Sequence, residues 1–94
     1  MSKTLHAGWF RCRIRGLSRS NYPWIYFHVT IQGSQRELRR EGRYLAGLYL
    51  HRQIFDFESV HAPDDISPLK TINDTVFYRR NSIAGIPLIN EATQ

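Results

Sequence analysis

Trp9-Phe10-Arg11-Cys12-Arg13-Ile14-Arg15 alternates without a break: Phe10, Cys12 and Ile14 point one way, and Trp9, Arg11, Arg13 and Arg15 the other. A period of two marks a strand with one buried face. Trp24 to Ile31 repeats the pattern. Ile25, Phe27, Val29 and Ile31 are assigned to the core, and Trp24, Tyr26, His28 and Thr30 to the outside. The polar stretch between them, Gly16 to Pro23, reads as a loop, which makes the two runs an antiparallel hairpin.

Downstream of Gln32-Gly33 the period changes. Ser34-Gln35-Arg36-Glu37 has the form of a capping box, in which the Ser34 hydroxyl and the Glu37 carboxylate each satisfy a free amide at the helix start. Leu38, Leu45, Leu48, Tyr49 and Phe55 follow at helical spacings, and Arg39, Arg40, Arg43 and Arg52 fall mostly off that stripe. The spacing predicts a helix from about Ser34 to Phe55. Gly42 and Gly47 each weaken it by about 1 kcal/mol relative to Ala, so packing must hold it.

The remainder is less regular. Residues 56–67 are acidic and aperiodic and read as a loop. Ser67-Pro68 suits the N-cap and first residue of a second helix, with Leu69, Ile72, Val76 and Ile83 on one face. The competing reading makes Thr75-Val76-Phe77-Tyr78 a third strand; the helix is preferred. Residues 85–94 read as an extended tail. The expected fold is a single α+β domain over residues 1–94. Its basic ββα unit spans residues 1–55, and a loosely organised C-terminal half follows, with a second helix or a strand over 68–84.

Charge is placed unevenly. Residues 1–55 hold ten basic and two acidic side chains, nine of the ten being arginine, whereas residues 56–94 hold three basic and six acidic. Arginine suits bidentate contact with carboxylate or phosphate, so the basic part reads as a contact surface. The net charge of +5 argues against a DNA mimic, which needs a dense acidic face.

Catalytic signals are missing. His6, His28, His51 and His61 are scattered, Asp64-Asp65 are neighbours that rarely converge, and Cys12 is assigned to the buried side of its strand. No cofactor or metal site is expected. The single cysteine, with no export or membrane segment, points to a reducing cytoplasm.

Two groups of residues are the candidates for partner binding. Arg11, Arg13, Trp24 and Tyr26, with Trp9, Arg15, Arg19 and Tyr22 beside them, form a hairpin face; Arg39, Arg40 and Arg43 form a helix face. Trp, Tyr and Arg are the usual anchors of protein interfaces. The same residues would suit phosphates and stacked bases, or a plain solvated strand; protein contact is favoured. Ser67-Pro68 is a third candidate, because an exposed X-Pro bond can be gripped by a prolyl isomerase.

The opening Met1-Ser2-Lys3-Thr4-Leu5-His6-Ala7-Gly8-Trp9-Phe10-Arg11-Cys12-Arg13-Ile14-Arg15-Gly16 resembles the anti-RecBCD proteins of lambdoid phages, a group distinct from the DNA-mimicking Gam inhibitor. The resemblance extends along the whole chain, Ser67-Pro68 included. It implies binding to the host RecBCD helicase–nuclease through its RecC subunit, in the host cytoplasm. There it would alter the response to the Chi sequence, protecting phage DNA and favouring phage recombination. It also implies that a host prolyl isomerase can join the assembly, which agrees with the reading of Ser67-Pro68 as a contact. The alternative is a small basic DNA- or RNA-binding accessory protein of a mobile element.

Overall fold

A computed structural model describes residues 4–16, 24–83 and 86–87. The loop residues 17–23, with Arg19 and Tyr22, and most of the expected tail lie outside them. The two alternating runs become β1 (Leu5–Ile14) and β2 (Ile25–Gln32), paired antiparallel with Phe10 opposite Phe27 and Cys12 opposite Ile25. Ser34 caps α1 (Gln35–Tyr49) through both halves of the predicted box: the Glu37 amide donates to the Ser34 hydroxyl at 3.1 Å, and the Ser34 amide donates to Glu37 at 2.7 Å.

The helix stops short of Phe55. His51 and Arg52 adopt left-handed backbone, with φ of 55° and 60°, and the Arg52 amide donates to the Gly47 carbonyl at 2.7 Å. This turn frees Phe55 to start β3 (Phe55–Val60), which pairs antiparallel with the other side of β1. Residues 56–60 are therefore strand, not loop. Their acidic side chains serve ladder positions, Asp56 opposite Arg13 and Glu58 opposite Arg11, so a charge-rich segment loses nothing by pairing.

The second helix gives way to two strands, β4 (Ile66–Ile72) and β5 (Thr75–Arg80). Asn73 and Asp74, both with positive φ, form the two-residue turn between them. Pro68 lies on an edge strand, beside a bulge between Pro68 and Lys70, where a missing backbone donor costs little. The competing strand reading of Thr75–Tyr78 is the correct one. β5 joins β2, and the five-stranded antiparallel sheet has the order β3-β1-β2-β5-β4. A short pair, β6 (Ser82–Ile83) with β7 (Ile86–Pro87), follows.

The α+β class stands, with the helix packed on one face of the sheet. Phe10, Cys12, Phe27, Val29 and Phe77 from the strands meet Leu38, Leu45, Ala46 and Leu50 from the helical segment. Phe10 stacks on Phe57 at 5.1 Å between ring centroids, and Tyr49 stacks on Phe77 at 4.6 Å. Gly42 explains the close approach: a Cβ there would lie 3.0 Å from the Phe10 ring and 3.1 Å from Phe57 Cζ. Gly47 is different, its nearest neighbour being Phe55 Cε1 at 3.9 Å.

The two glycines should therefore respond oppositely to alanine. At Gly42, crowding of about 1–3 kcal/mol outweighs the helix gain of about 1 kcal/mol, so Gly42→Ala should destabilise the fold by up to about 2 kcal/mol. Gly47→Ala should stabilise it by up to about 1 kcal/mol. Urea unfolding of both variants checks this; equal shifts of the same sign would contradict the packing described.

Candidate functional site

With the helix on one side, the other side of the sheet has no covering element among the described residues. Register fixes what lies there. Trp9 sits opposite His28 and Val60, Arg11 opposite Tyr26 and Glu58, and Arg13 opposite Asp56. Tyr26 is opposite Tyr78, and Tyr78 is opposite Pro68. The predicted hairpin face thus becomes the centre of a wider surface, to which β5 adds Tyr78 and Arg80. Sequence reasoning missed those two because it placed their segment in a helix.

The centre is aromatic. The Trp9 ring lies 5.1 Å from His28 and 5.6 Å from Tyr78, both tilted. Trp24 carries two guanidiniums, Arg11 at 4.1 Å and Arg13 at 4.0 Å from the ring centroid. Tyr26 is not exposed as the alternation predicts; it retains only 4% of its accessible surface. It does occupy the outer face, but β2 is central and neighbours close over it from both sides. The Arg80 guanidinium lies 5.2 Å from the Tyr26 ring centroid and donates to its hydroxyl at 3.1 Å. Tyr26 therefore supports the surface from beneath.

The arginines of this face are paired. Arg11 bridges to Glu58, with Nε donating to Oε2 at 2.7 Å. Arg13 and Arg15 converge on Asp56 at 3.3 and 2.8 Å. Hydrogen bonding from Arg15, opposed by some desolvation and reinforced by Arg13, holds the Asp56 carboxyl below its ordinary value. Partial desolvation works against the Arg11 cation, but Glu58 and Tyr26 more than reverse it, and its pKa is raised. These residues, with Trp24, Phe55, Phe57 and Arg43, line an open groove of about 560 Å³ along the β3 edge.

Arg39, Arg40 and Arg43 are exposed on the helix, across the sheet from Arg11 and Trp24, so the structure separates the two predicted clusters. Only Arg43 reaches the shared groove. Pro68 is exposed in β4 and its peptide bond is trans; Ser67 donates to Asn81 at 2.6 Å, which clasps the strand instead of leaving it free.

No family model, curated protein or solved structure matches this chain.

Other chemistry has little to work with. Among the described residues no three His, Cys, Asp or Glu side chains gather as a metal site. No helix among the described residues is long and apolar enough to cross a membrane. Cys12 is fully buried, and burial pushes its thiol up to about 12, which keeps it protonated at neutral pH.

The Asp56 cluster predicts a pH dependence. A carboxylate with a lowered folded pKa contributes stability above the ordinary carboxylate range and loses it as pH falls through the folded value. Asp56→Asn should therefore be less stable than wild type near about pH 7, with the difference closing towards about pH 2. Urea unfolding across that range measures it, and a gap that persists undiminished in acid would rule out the ion pairs as its source.

Proposed function

We propose that this chain is a non-enzymatic docking protein whose open sheet face binds a larger protein. The observation that carries the reading is the unshielded face built around Trp9, Trp24 and Tyr78 with Arg11, Arg13 and Arg80. Its rings are already held in place by cation–π and ring contacts, so little side-chain freedom remains to be lost on binding. Arg11 and Arg13 are already paired with Glu58 and Asp56, Arg80 is held on Tyr26, and such a face suits a protein surface with both apolar and polar groups.

On the resemblance of the sequence to the anti-RecBCD proteins, the partner proposed is the host RecBCD helicase–nuclease, bound at RecC in the host cytoplasm. Binding there would change the response to Chi, spare phage DNA ends and favour phage recombination. An acidic DNA mimic would block the DNA path, whereas a chain of charge +5 is suited to sit beside it. A host prolyl isomerase is proposed as a further member of the assembly, meeting exposed Pro68 at the β4 edge of the same sheet.

A pull-down with purified RecBCD, in the absence of DNA, tests this. Wild type should be retained at moderate salt. Arg11→Ala combined with Trp24→Ala should lower retention at least tenfold, as loss of an anchor worth about 2 kcal/mol or more requires. Arg39→Gln, Arg40→Gln and Arg43→Gln together should leave it nearly unchanged. No retention of the folded wild type would end the RecBCD reading, and loss in the helix variant alone would move the interface to the other side of the molecule.

Pro68→Ala should separately abolish co-purification of a host prolyl isomerase while RecBCD retention stays intact. Undiminished isomerase in the eluate would remove Pro68 as its contact.

A further inference from the structure

The arginines of α1 are arranged differently from those of the sheet. Arg36, Arg39, Arg40 and Arg43 stand at i, i+3, i+4 and i+7, which places them along one side of the helix. All four are exposed. Among the described residues the ion pairs engage Arg11, Arg13 and Arg15, and none engages these four. Of the acids of the helix, Glu37 is bound into the N-cap, and Glu41 faces the flank of His28, Thr30 and Asn73. Arg39 and Arg43 lean the other way, over the Phe57 ring at 5.2 and 4.9 Å.

The row leads into a cleft of about 370 Å³ lined by Arg43, Tyr44, Gly47, Leu48, Arg52 and Phe55. Its size falls within the roughly 300–1,000 Å³ of small-ligand clefts. Tyr44, an aromatic ring on a helix surface, is 52% exposed. Its lining combines the guanidiniums of Arg43 and Arg52 with the rings of Tyr44 and Phe55.

We infer that this side of α1 binds single-stranded nucleic acid, with the backbone along Arg36, Arg40 and Arg43 and an unpaired base against Tyr44 in the cleft. The charge complementarity is direct. Unpaired guanidiniums in a row with neighbours about 5–6 Å apart meet a polymer that carries one negative charge per nucleotide. A duplex would satisfy the arginines but leave the ring and cleft unused, since its bases are stacked and paired. An acidic protein surface would likewise leave the cleft without a purpose. Sequence-tolerant stacking beside a basic track is the general mode of single-strand binding. The surface lies on the helix side of the sheet, and of its residues Arg43 and Phe55 also line the groove beside Arg11 and Trp24.

Fluorescence anisotropy of a labelled 20-nucleotide oligo(dT) with the full chain, over a range of salt, tests the inference. Wild type should bind with an affinity that falls as salt rises. Arg36→Gln, Arg40→Gln and Arg43→Gln together should reduce the slope of log K against log salt by about 2, at about 0.7 per lost phosphate contact. Tyr44→Ala should weaken binding roughly 5- to 100-fold with little change in slope. All four positions are exposed or partly exposed surface, and circular dichroism verifies that each variant is folded.

The inference is overturned if folded wild type does not bind the oligonucleotide at low salt, or if either variant binds as wild type does. Equal or tighter binding of a 20-base-pair duplex overturns the single-strand assignment. Displacement of the oligonucleotide by polyglutamate at matched charge concentration assigns the surface to acidic protein instead. Retention of RecBCD by the arginine variant is read in parallel, so failure here is distinguishable from failure of the docking proposal.

Discussion

The fit of Gly42 against Phe10 and Phe57 sets the geometry on which the rest depends. A helix carrying any side chain at that position would have to stand further from the sheet, because its Cβ would meet both rings at about 3 Å. With hydrogen alone there, Leu38, Leu45 and Ala46 join Phe27 and Phe77 in a core of nine buried residues among those described. A domain this small has material for one such layer. All of it is used on one side, and among the described residues no second helix covers Trp9, Trp24 and Tyr78 on the opposite face of the sheet. The open face is thus a consequence of how the core is built.

Electrostatics follows from the same topology. The chain is basic in its first 55 residues and acidic after them, a division that looks like two separate regions in sequence. β3 folds back along β1 and places Asp56 and Glu58 opposite Arg13 and Arg11. Arg11 and Arg13 are partly neutralised there and held over Trp24, where their planes extend the aromatic surface. The helix receives no comparable acidic strand. Its arginines keep their charge, so the basic character of the molecule is concentrated on the side where the sequence gives no other feature.

The alternating runs and the capping box made β1, β2 and the start of α1 legible, because period and cap chemistry are local properties of the chain. Arg11, Arg13 and Trp24 were placed on one face correctly for the same reason. What stayed hidden was non-local. Phe55-Asp56-Phe57-Glu58 does alternate with period two, but the run is short, and giving Phe55 to the helix hid it. The end of α1 rests on left-handed His51 and Arg52, residues without the glycine that normally marks such a stop. Asn73-Asp74 between β-branched Thr71-Ile72 and Thr75-Val76 was the readable sign of a hairpin, and Pro68 read as a helix start obscured it. Tyr26 was assigned to the correct face yet to the wrong exposure, since burial on that face comes from Arg80, which belongs to a strand the sequence reading did not place there.

Two surfaces of different chemistry lie on opposite sides of one thin sheet and meet only at Arg43 and Phe55. The sheet face offers pre-positioned rings and compensated charge, properties that favour a specific and weakly salt-dependent contact. The helix side offers uncompensated charge, whose interactions weaken steeply with salt and depend little on sequence. On the proposed docking to a helicase–nuclease, both surfaces have a use. One contact would fix it to the enzyme, and the other would meet a strand as it emerges, too loosely to stop its passage. That division of labour needs no catalytic group, and it accounts for a small chain that spends its arginines on two faces while burying its only thiol.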